Sequence, residues 1–241
     1  MFDKRIITIH DVAEDTMTSK RLEKIIKTTL GFGYKFVAID QILETNTKGL
    51  KVALTVDDAY KSTVTTTMPI LTKYNIKAIL FIPPGLIGLK ANDPVLLAND
   101  CYPNKDMMTW DDVQEWVNQG HEIGFHTCNH IDLYHNSCKD IEDDFIKGMN
   151  IFITQGLQVK LFAYPKGYLP KNRKQMEELF KRFGIHYAFT INRGRVNVEN
   201  IYYINRTILG NKEYFLWSLF KIFGIEDYHY YSVKQHQEAK M

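Results

Sequence analysis

Short apolar runs of strand character alternate with amphipathic helical stretches along most of this chain, and few folds accept that alternation. "RIITIH" reads as a strand. "SKRLEKIIKTTLGFG" reads as a helix, with Leu22, Ile25, Ile26 and Leu30 at helical spacing and glycine at its end. Then follow "KVALTV" (strand), "TTTMPILTKYN" (helix) and "KAILFI" (strand). "TWDDVQEWVNQG" is a helix with Thr109 as N-cap, Asp112 three residues on and Gly120 as its stop. "HEIGFH" is a strand, and "SCKDIEDDFIKGMNIFITQG" a helix opened by a second capping box, Ser137 to Asp140. "VKLFAYP", "KQMEELFKRFG" and "HYAFTI" continue as strand, helix and strand. Strands alternating with helices mean βαβ units and a parallel sheet. Six or seven such units in this length favour a barrel, one that can be incomplete, over an open sheet.

The 241 residues, 45% of them hydrophobic, can fill one sizeable core. No repeat, low-complexity tract or linker divides the chain, so residues 1–241 read as a single domain. The 30 basic and 28 acidic residues are well mixed and leave a net charge of +2, which argues against a nucleic-acid or polyanion binder. Cys101, Cys128 and Cys138 lack metal-type spacing and read as reduced thiols. The start, "MFDKRIITIHDV", is too short in apolar residues for a secretory core, and nothing approaches a membrane span. A cytoplasmic location is therefore expected.

"LTVDDAY", residues 54–60, sets two adjacent acids at the C-terminal end of a strand. Adjacent carboxylates repel and resist burial, so the pair needs a reason. "HTCNH", residues 126–130, also follows a strand, and its two histidines can be aimed at one point by a helical turn or a tight loop. Two imidazoles and one carboxylate make a three-ligand zinc-type site with a position left for water. In one assignment Asp58 binds a metal and Asp57 is the base beside it. In the other, the acids are solvated in a loop and the histidines are unconnected surface or core groups. The long connection from Gly85 to Met108 follows a strand too, and should lie on the face where such folds place their sites.

"TVDDAYKSTVTTTMPILTKYNIKAILFI", "MMTWDDVQEWVNQGHEIGFHTCNH" and "LFAYPKG", in that order and spacing, resemble the polysaccharide deacetylase (NodB-homology) family. The resemblance covers about residues 5–210, and the third motif has the Phe-x-x-Pro form of one branch. It implies a distorted (β/α) barrel that hydrolyses N-acetyl groups from sugars with one divalent metal. Zinc is the first candidate, with cobalt, nickel, manganese and iron as alternatives. It further implies Asp57 as base, Asp58, His126 and His130 as ligands, and the backbone amide of Lys166 as oxyanion donor. Tyr60, Tyr164 and Pro165 are assigned to substrate binding. Residues 211–241 lie beyond the resemblance as a helix and polar tail.

Three departures from the family pattern stand out. "DDG" is "DDA" here, and Ala59 adopts positive φ less cheaply than glycine. Lys166 replaces an aromatic residue, which suggests a cationic pocket wall and an anionic substrate. No late Leu-x-His supplies the acid for the leaving amine, and His229 and His236 sit in the tail without that context. His10, ending the first strand, is the replacement candidate, with Asp11 to orient it. The alternative is a core histidine. Arg206, in "YINRTIL", resembles a late segment of the same branch and is a candidate to orient Asp57, against a surface ion pair. The arginine that some members place two residues before the motif proline is Ala163 here.

Blander readings apply elsewhere. His121 and His186 open strands and are structural. Trp110 and Trp116 belong to the core. "EYFLWSLFKIFG" has a wide apolar face of Phe215, Leu216, Leu219, Phe220, Ile222 and Phe223 that packs on the barrel. Its functional alternative is peripheral membrane contact through residues 213–224, with Trp217 and Lys221 at the interface. The expected activity is hydrolysis of an N-acyl group, acetyl first, from an amino sugar of a surface-polysaccharide precursor. The rivals are a small-amide C–N hydrolase and a degenerate member that binds a glycan or partner. A long loop that seals a small pocket favours the first rival, and an open groove favours a glycan.

Overall fold

The structure, a computed structural model, describes residues 3–44, 48–99, 104–192 and 194–225. His229, His236 and Cys101 lie outside the described residues. Among the described residues eight strands form one parallel sheet: β1 Lys4–Ile9, β2 Lys35–Phe36, β3 Lys51–Asp57, β4 Ala78–Ile82, β5 Glu122–Phe125, β6 Leu161–Ala163, β7 Tyr187–Phe189 and β8 Thr207–Ile208. Their spatial order is β7-β6-β5-β4-β3-β1-β8, with β2 pairing the start of β3. The helices are α1 Ser19–Gly31, α2 Ile39–Leu43, α3 Met68–Lys73, α4 Pro94–Ala98, α5 Trp110–Asn118, α6 Cys138–Thr154, α7 Arg173–Phe183 and α8 Phe215–Phe223.

The ends of the sheet order are joined without a regular ladder. Ala188 N–H donates to Ile201 O and Thr190 N–H to Ile204 O, and further on Leu209 N–H donates to Thr8 O. The stretch 201–209 thus touches β7 on one side and β1 on the other. This is the incomplete barrel expected from the alternation, with the distortion that the resemblance implies.

Strand parity divides the core. Ile6, Ala53, Ile79, Phe81, Leu161, Ala163 and Phe189 meet inside the barrel, where Ile39, Ile42 and Leu43 of α2 join them. Ile7, Ile9, Leu54, Val56, Leu80, Ile82 and Phe162 face the helices. Period-two alternation therefore sends Thr8 and His10, and Thr55 and Asp57, to the inner side. The β1–β3 register pairs Thr8 with Thr55, and β3–β4 pairs Asp57 with Phe81, so the strands end at one level.

Several local expectations are refined. Leu30 is exposed, and Thr29 completes the buried stripe of α1 instead. The helix at 63–73 begins as a widened π turn over Thr63–Thr67 before α3. Pro69 has no N–H to continue a regular ladder there. Thr109 and Asp112 form the expected capping box. At α6 the Ser137 hydroxyl accepts from Asp140 N–H and donates to the Asp140 carboxylate at 2.6 Å. The Gly85–Met108 connection contains α4, capped by Asp93, and packs Leu86, Leu96 and Met107 around Tyr60.

Trp116 is buried, and Trp110 sets its ring edge-on to Phe152. His121 is buried in a stack on Trp116, ring centroids 4.0 Å apart, and its Nδ1 accepts from Ala78 N–H. His186 is exposed. Burial pushes His121 down to about 4, with Lys77 adding to the shift. Folding therefore favours its neutral form. Above about pH 6.5 nothing is lost. As pH falls from there to about 4 the unfolded chain binds a proton that the folded one refuses, and about 3 kcal/mol of stability disappears. His121→Phe keeps the stack, so its unfolding free energy is expected to fall less steeply with acid over that window. An unchanged slope in urea titrations would exclude His121 as the cause.

β1 is tied to α8 by one buried side chain. Arg5 donates to the carbonyls of Ile222 at 3.2 Å, Lys221 at 2.8 Å and Gly194 at 2.8 Å. Its cation sits at the C-terminal end of α8, where the helix dipole is negative.

Candidate active site

The turn after β3 is left-handed at two successive non-glycine residues, Asp58 at φ 75° and Ala59 at φ 58°. The position therefore requires the conformation glycine would supply, and Ala59 adopts it at a cost of about 1 kcal/mol. The surroundings over-determine it. Asp58 N–H donates to Phe81 O at 3.1 Å, and Ala59 O accepts from Met108 N–H at 2.9 Å. Asp58 is thereby swung off the strand direction while Asp57 keeps it, so the adjacent carboxylates leave in different directions.

His126 and His130 come from a tight loop, not a helical turn. Thr127 and His130 are left-handed at φ 56° and 55°. Sequence reasoning missed what pins this loop. The buried carboxylate of Asp144, on α6, accepts from Cys128 N–H at 2.6 Å, Asn129 N–H at 3.1 Å and Asn129 Nδ2 at 3.0 Å. Gly85 N–H donates to Cys128 O, and a Cβ on Gly85 would stand 2.8 Å from that oxygen. The signal was present: Asp144 interrupts the apolar stripe of Ile141, Phe145, Gly148, Met149 and Phe152.

Asp57 is buried and gripped by Arg206. Arg206 Nη1 donates to Oδ1 at 2.7 Å and Nη2 to Oδ2 at 2.9 Å. The guanidinium is 1% exposed, so this is no surface pair. It also donates to Thr55 Oγ1, Thr8 Oγ1 and Thr190 O, and lies 5.0 Å over the Phe81 ring. One side chain thus joins β1, β3 and the end of β7 beneath the acid. Burial alone would raise the Asp57 pKa, but Arg206 outweighs it and holds the carboxyl below its usual range. His10 Nε2 stands 4.0 Å from Asp57 Oδ2, and its side chain is 20% exposed.

Other assigned residues fall differently. Asp11 does not orient His10. Its carboxylate takes the hydroxyls of Ser62 and Thr16 and an ion pair with Lys105 at 3.2 Å. Tyr164 has the outward strand parity. Its ring is buried against Phe162, Phe180 and Tyr203, and its hydroxyl donates to Tyr202 O, so it offers a substrate nothing. Tyr60 is likewise buried, beneath Met107. Pro165 is buried at the head of a short turn in which Lys166 is left-handed at φ 55°. The next two amides are used within that turn, Gly167 N–H to Tyr164 O and Tyr168 N–H to Pro165 O. The Lys166 charge is near enough to lower the His130 pKa.

Asp58, His126 and His130 fit a metal ion. Their ligand atoms lie within 4.8 Å of one another. Asp58 Oδ1 is 3.5 Å from His126 Nε2 and 3.4 Å from His130 Nε2, and it is buried without a hydrogen-bond partner. Donors about 2.1 Å from a tetrahedral ion stand roughly 3.4 Å apart. His126 Nδ1 lies 2.8 Å from Ala163 O, which can only accept, so the proton belongs on Nδ1 and the Nε2 lone pair faces Asp58. Burial pushes His130 down to about 4 against the pull of Asp58, leaving it neutral at neutral pH. A buried carboxylate facing ring lone pairs is repulsive until a cation lies between them.

Known proteins share this arrangement of chain. Solved structures of similar fold include IcaB from Ammonifex degensii, with a TM-score of 0.74 at 20% identity over 86% of this chain and 91% of that one. The Streptococcus pyogenes deacetylase PplD, solved in complex with acetate, has a TM-score of 0.70 at 19% identity over 90% and 97%. In sequence, the peptidoglycan-N-acetylglucosamine deacetylase of Bacillus cereus is 28% identical over 120 residues. That match spans 49% of this chain and 47% of the relative, about half of each. The polysaccharide deacetylase family model matches residues 44–188, a stretch holding both acids of the turn, both histidines and Pro165 but neither His10 nor Arg206. With more than half its length matched, the chain belongs to the polysaccharide deacetylase family.

Proposed function

We propose that this protein removes an N-acetyl group from an amino sugar of a surface-polysaccharide precursor, with a divalent metal ion, zinc first, held by Asp58, His126 and His130. The observation that carries the reading is the pairing of two buried acids. Asp58 faces two imidazoles with no donor of its own, and Asp57 beside it is kept ionised by a buried arginine. The bound ion would polarise the amide carbonyl and acidify a water molecule.

Asp57 is the base for that water. Arg206 fixes its plane and lowers its basicity, which suits a water already acidified. His10 is the acid that protonates the leaving amine, standing beside Asp57 with its ring partly open to solvent. The Lys166 amide, in the turn after Pro165, is the proposed donor to the oxyanion. The Lys166 ammonium would favour a substrate with an anionic group nearby. Tyr60 and Tyr164 support these elements from behind. Among the described residues no helix is long and apolar enough to cross a membrane. A nucleotide-linked sugar in the cytoplasm, or a lipid-linked sugar met through peripheral membrane contact at residues 213–224, fits the reading.

The test is acetate release from N-acetylglucosamine oligomers, a nucleotide-linked N-acetyl sugar and a cyclic amide, using metal-loaded and chelator-treated protein. About one divalent ion per chain is expected, with acetate released from an amino sugar only when it is bound. A loaded protein that opened the cyclic amide alone would favour the small-amide reading. Loaded protein inert on every substrate would favour a binding role.

A further inference from the structure

Helix α8 is apolar on nearly every side, but the fold uses only one of them. Ser218, Leu219, Ile222 and Phe223 are buried. They pack beside α1, where Arg21 bonds Ser218 Oγ and the Phe32 ring lies 4.8 Å from that of Phe223. The outward side keeps Tyr214 87%, Leu216 63%, Trp217 45% and Phe220 40% exposed. Lys221, by contrast, is turned inward to Glu213 and Ile208 O, so it is no part of that surface. A helix apolar all round is ordinarily covered.

The neighbouring charges say what covers it. The outward row of α1 is Lys20, Lys24 and Lys27, all exposed, and Lys24 Nζ sits 4.2 Å over the Phe215 ring. The row ends at exposed Leu30 and Phe32, and exposed Lys212 stands just before α8. Glu23, the one acid in α1, is already engaged by Lys73, Tyr74 and Lys27. A two-fold contact between copies of this chain through the patch would bring one basic row toward the other. A layer of anionic headgroups over an apolar interior satisfies both halves, because aromatic and leucine side chains enter the boundary while lysines meet phosphate.

We infer that the α1–α8 flank is a docking surface for an anionic lipid bilayer, with Leu216, Trp217 and Phe220 inserted and Lys20, Lys24 and Lys27 on the headgroups. Both helices begin at the end of the barrel where His10 and Asp57 lie, since each follows the C-terminal end of a parallel strand. The docked flank therefore starts at the rim of the site. Delivery of a lipid-carried substrate by this route rests on the deacetylase reading, whereas the binding does not.

Co-sedimentation with phosphatidylglycerol–phosphatidylcholine vesicles, against phosphatidylcholine alone, tests it without using activity. The full chain is expected to pellet with the anionic vesicles and be released by salt. Leu216→Ser/Trp217→Ser/Phe220→Ser and Lys20→Glu/Lys24→Glu/Lys27→Glu should each weaken binding roughly tenfold or more. Circular dichroism is expected to match the parent in both. No pelleting above the phosphatidylcholine control overturns the inference, as does binding that both variants retain. A dimer that the serine variant dissociates would assign the face to a second copy instead. Binding that emerges only after residues 226–241 are removed would assign it to the chain's own C-terminal segment.

Discussion

Asp57→Asn is expected to lower kcat by roughly three orders of magnitude, the usual scale for losing a positioned general base, while metal content stays unchanged. The amide keeps the shape of the carboxylate and one acceptor for Arg206, but it takes no proton. KM should move little, because Asp57 is buried beneath the reacting position and has no surface for binding a sugar. Cobalt absorption of the loaded variant should match that of the parent, since Asp58, His126 and His130 are untouched. Asp58→Asn is the contrasting case, in which metal and turnover vanish together. Full activity in Asp57→Asn would remove Asp57 from the mechanism whatever the metal content.

Arg206→Met should be among the most destabilising single changes in the domain, by about 3–5 kcal/mol, because it leaves a buried carboxylate without its cation. The guanidinium also bonds Thr8, Thr55 and Thr190 O, so the unsupported acid lies where the barrel closes. The pH dependence separates lost charge from lost packing. In the parent, Arg206 holds the Asp57 pKa below its usual range against burial. The pair therefore stabilises the fold above the unfolded carboxylate pKa of about 4, and that contribution is lost as pH falls through the folded value. Without Arg206, burial is opposed less and Asp57 takes up a proton more readily on folding. The gap between variant and parent should be widest at neutral pH and narrow in acid. A gap equally wide at both, measured by urea unfolding, would assign the loss to packing alone. Arg206→Lys keeps the charge without the two-pronged fork and should recover only part of the stability.

Periodicity was enough to read β1, β3 and β4 with α1 and α3, because central parallel strands are unbroken apolar runs, whereas the short β2 and α2 between β1 and β3 carry too few residues to show a period. The last strand was harder. β8 has two residues, and the stretch 201–209 is held by Ala188, Thr190 and Thr8 rather than by a pattern of its own. In the candidate site, the meeting of Asp57, Asp58, His126 and His130 at one end of the barrel was legible because each pair follows the C-terminal end of a parallel strand. Asp144 was not, since one acid in a helix reads as solvated until the fold buries it against the Cys128 and Asn129 amides. Tyr164 was assigned to substrate by its place beside Pro165, yet parity decides the matter. Ala163 faces the barrel interior, so its neighbour faces α7. Ala59 and Lys166 stood out in the sequence as departures from the family pattern. Both are non-glycine residues held left-handed by turns whose amides and carbonyls are bonded on either side.

The acceptors of Arg5 lie 189 to 217 positions further along the chain. β1 stands between β3 and β8 in the sheet, so the earliest strand of the barrel in chain order is also one of the last to gain its complete set of neighbours. Contacts of such span form late and slowly. The first half of the barrel should therefore gain no protection from proteolysis until β8 and α8 have been synthesised, and only then should the barrel close.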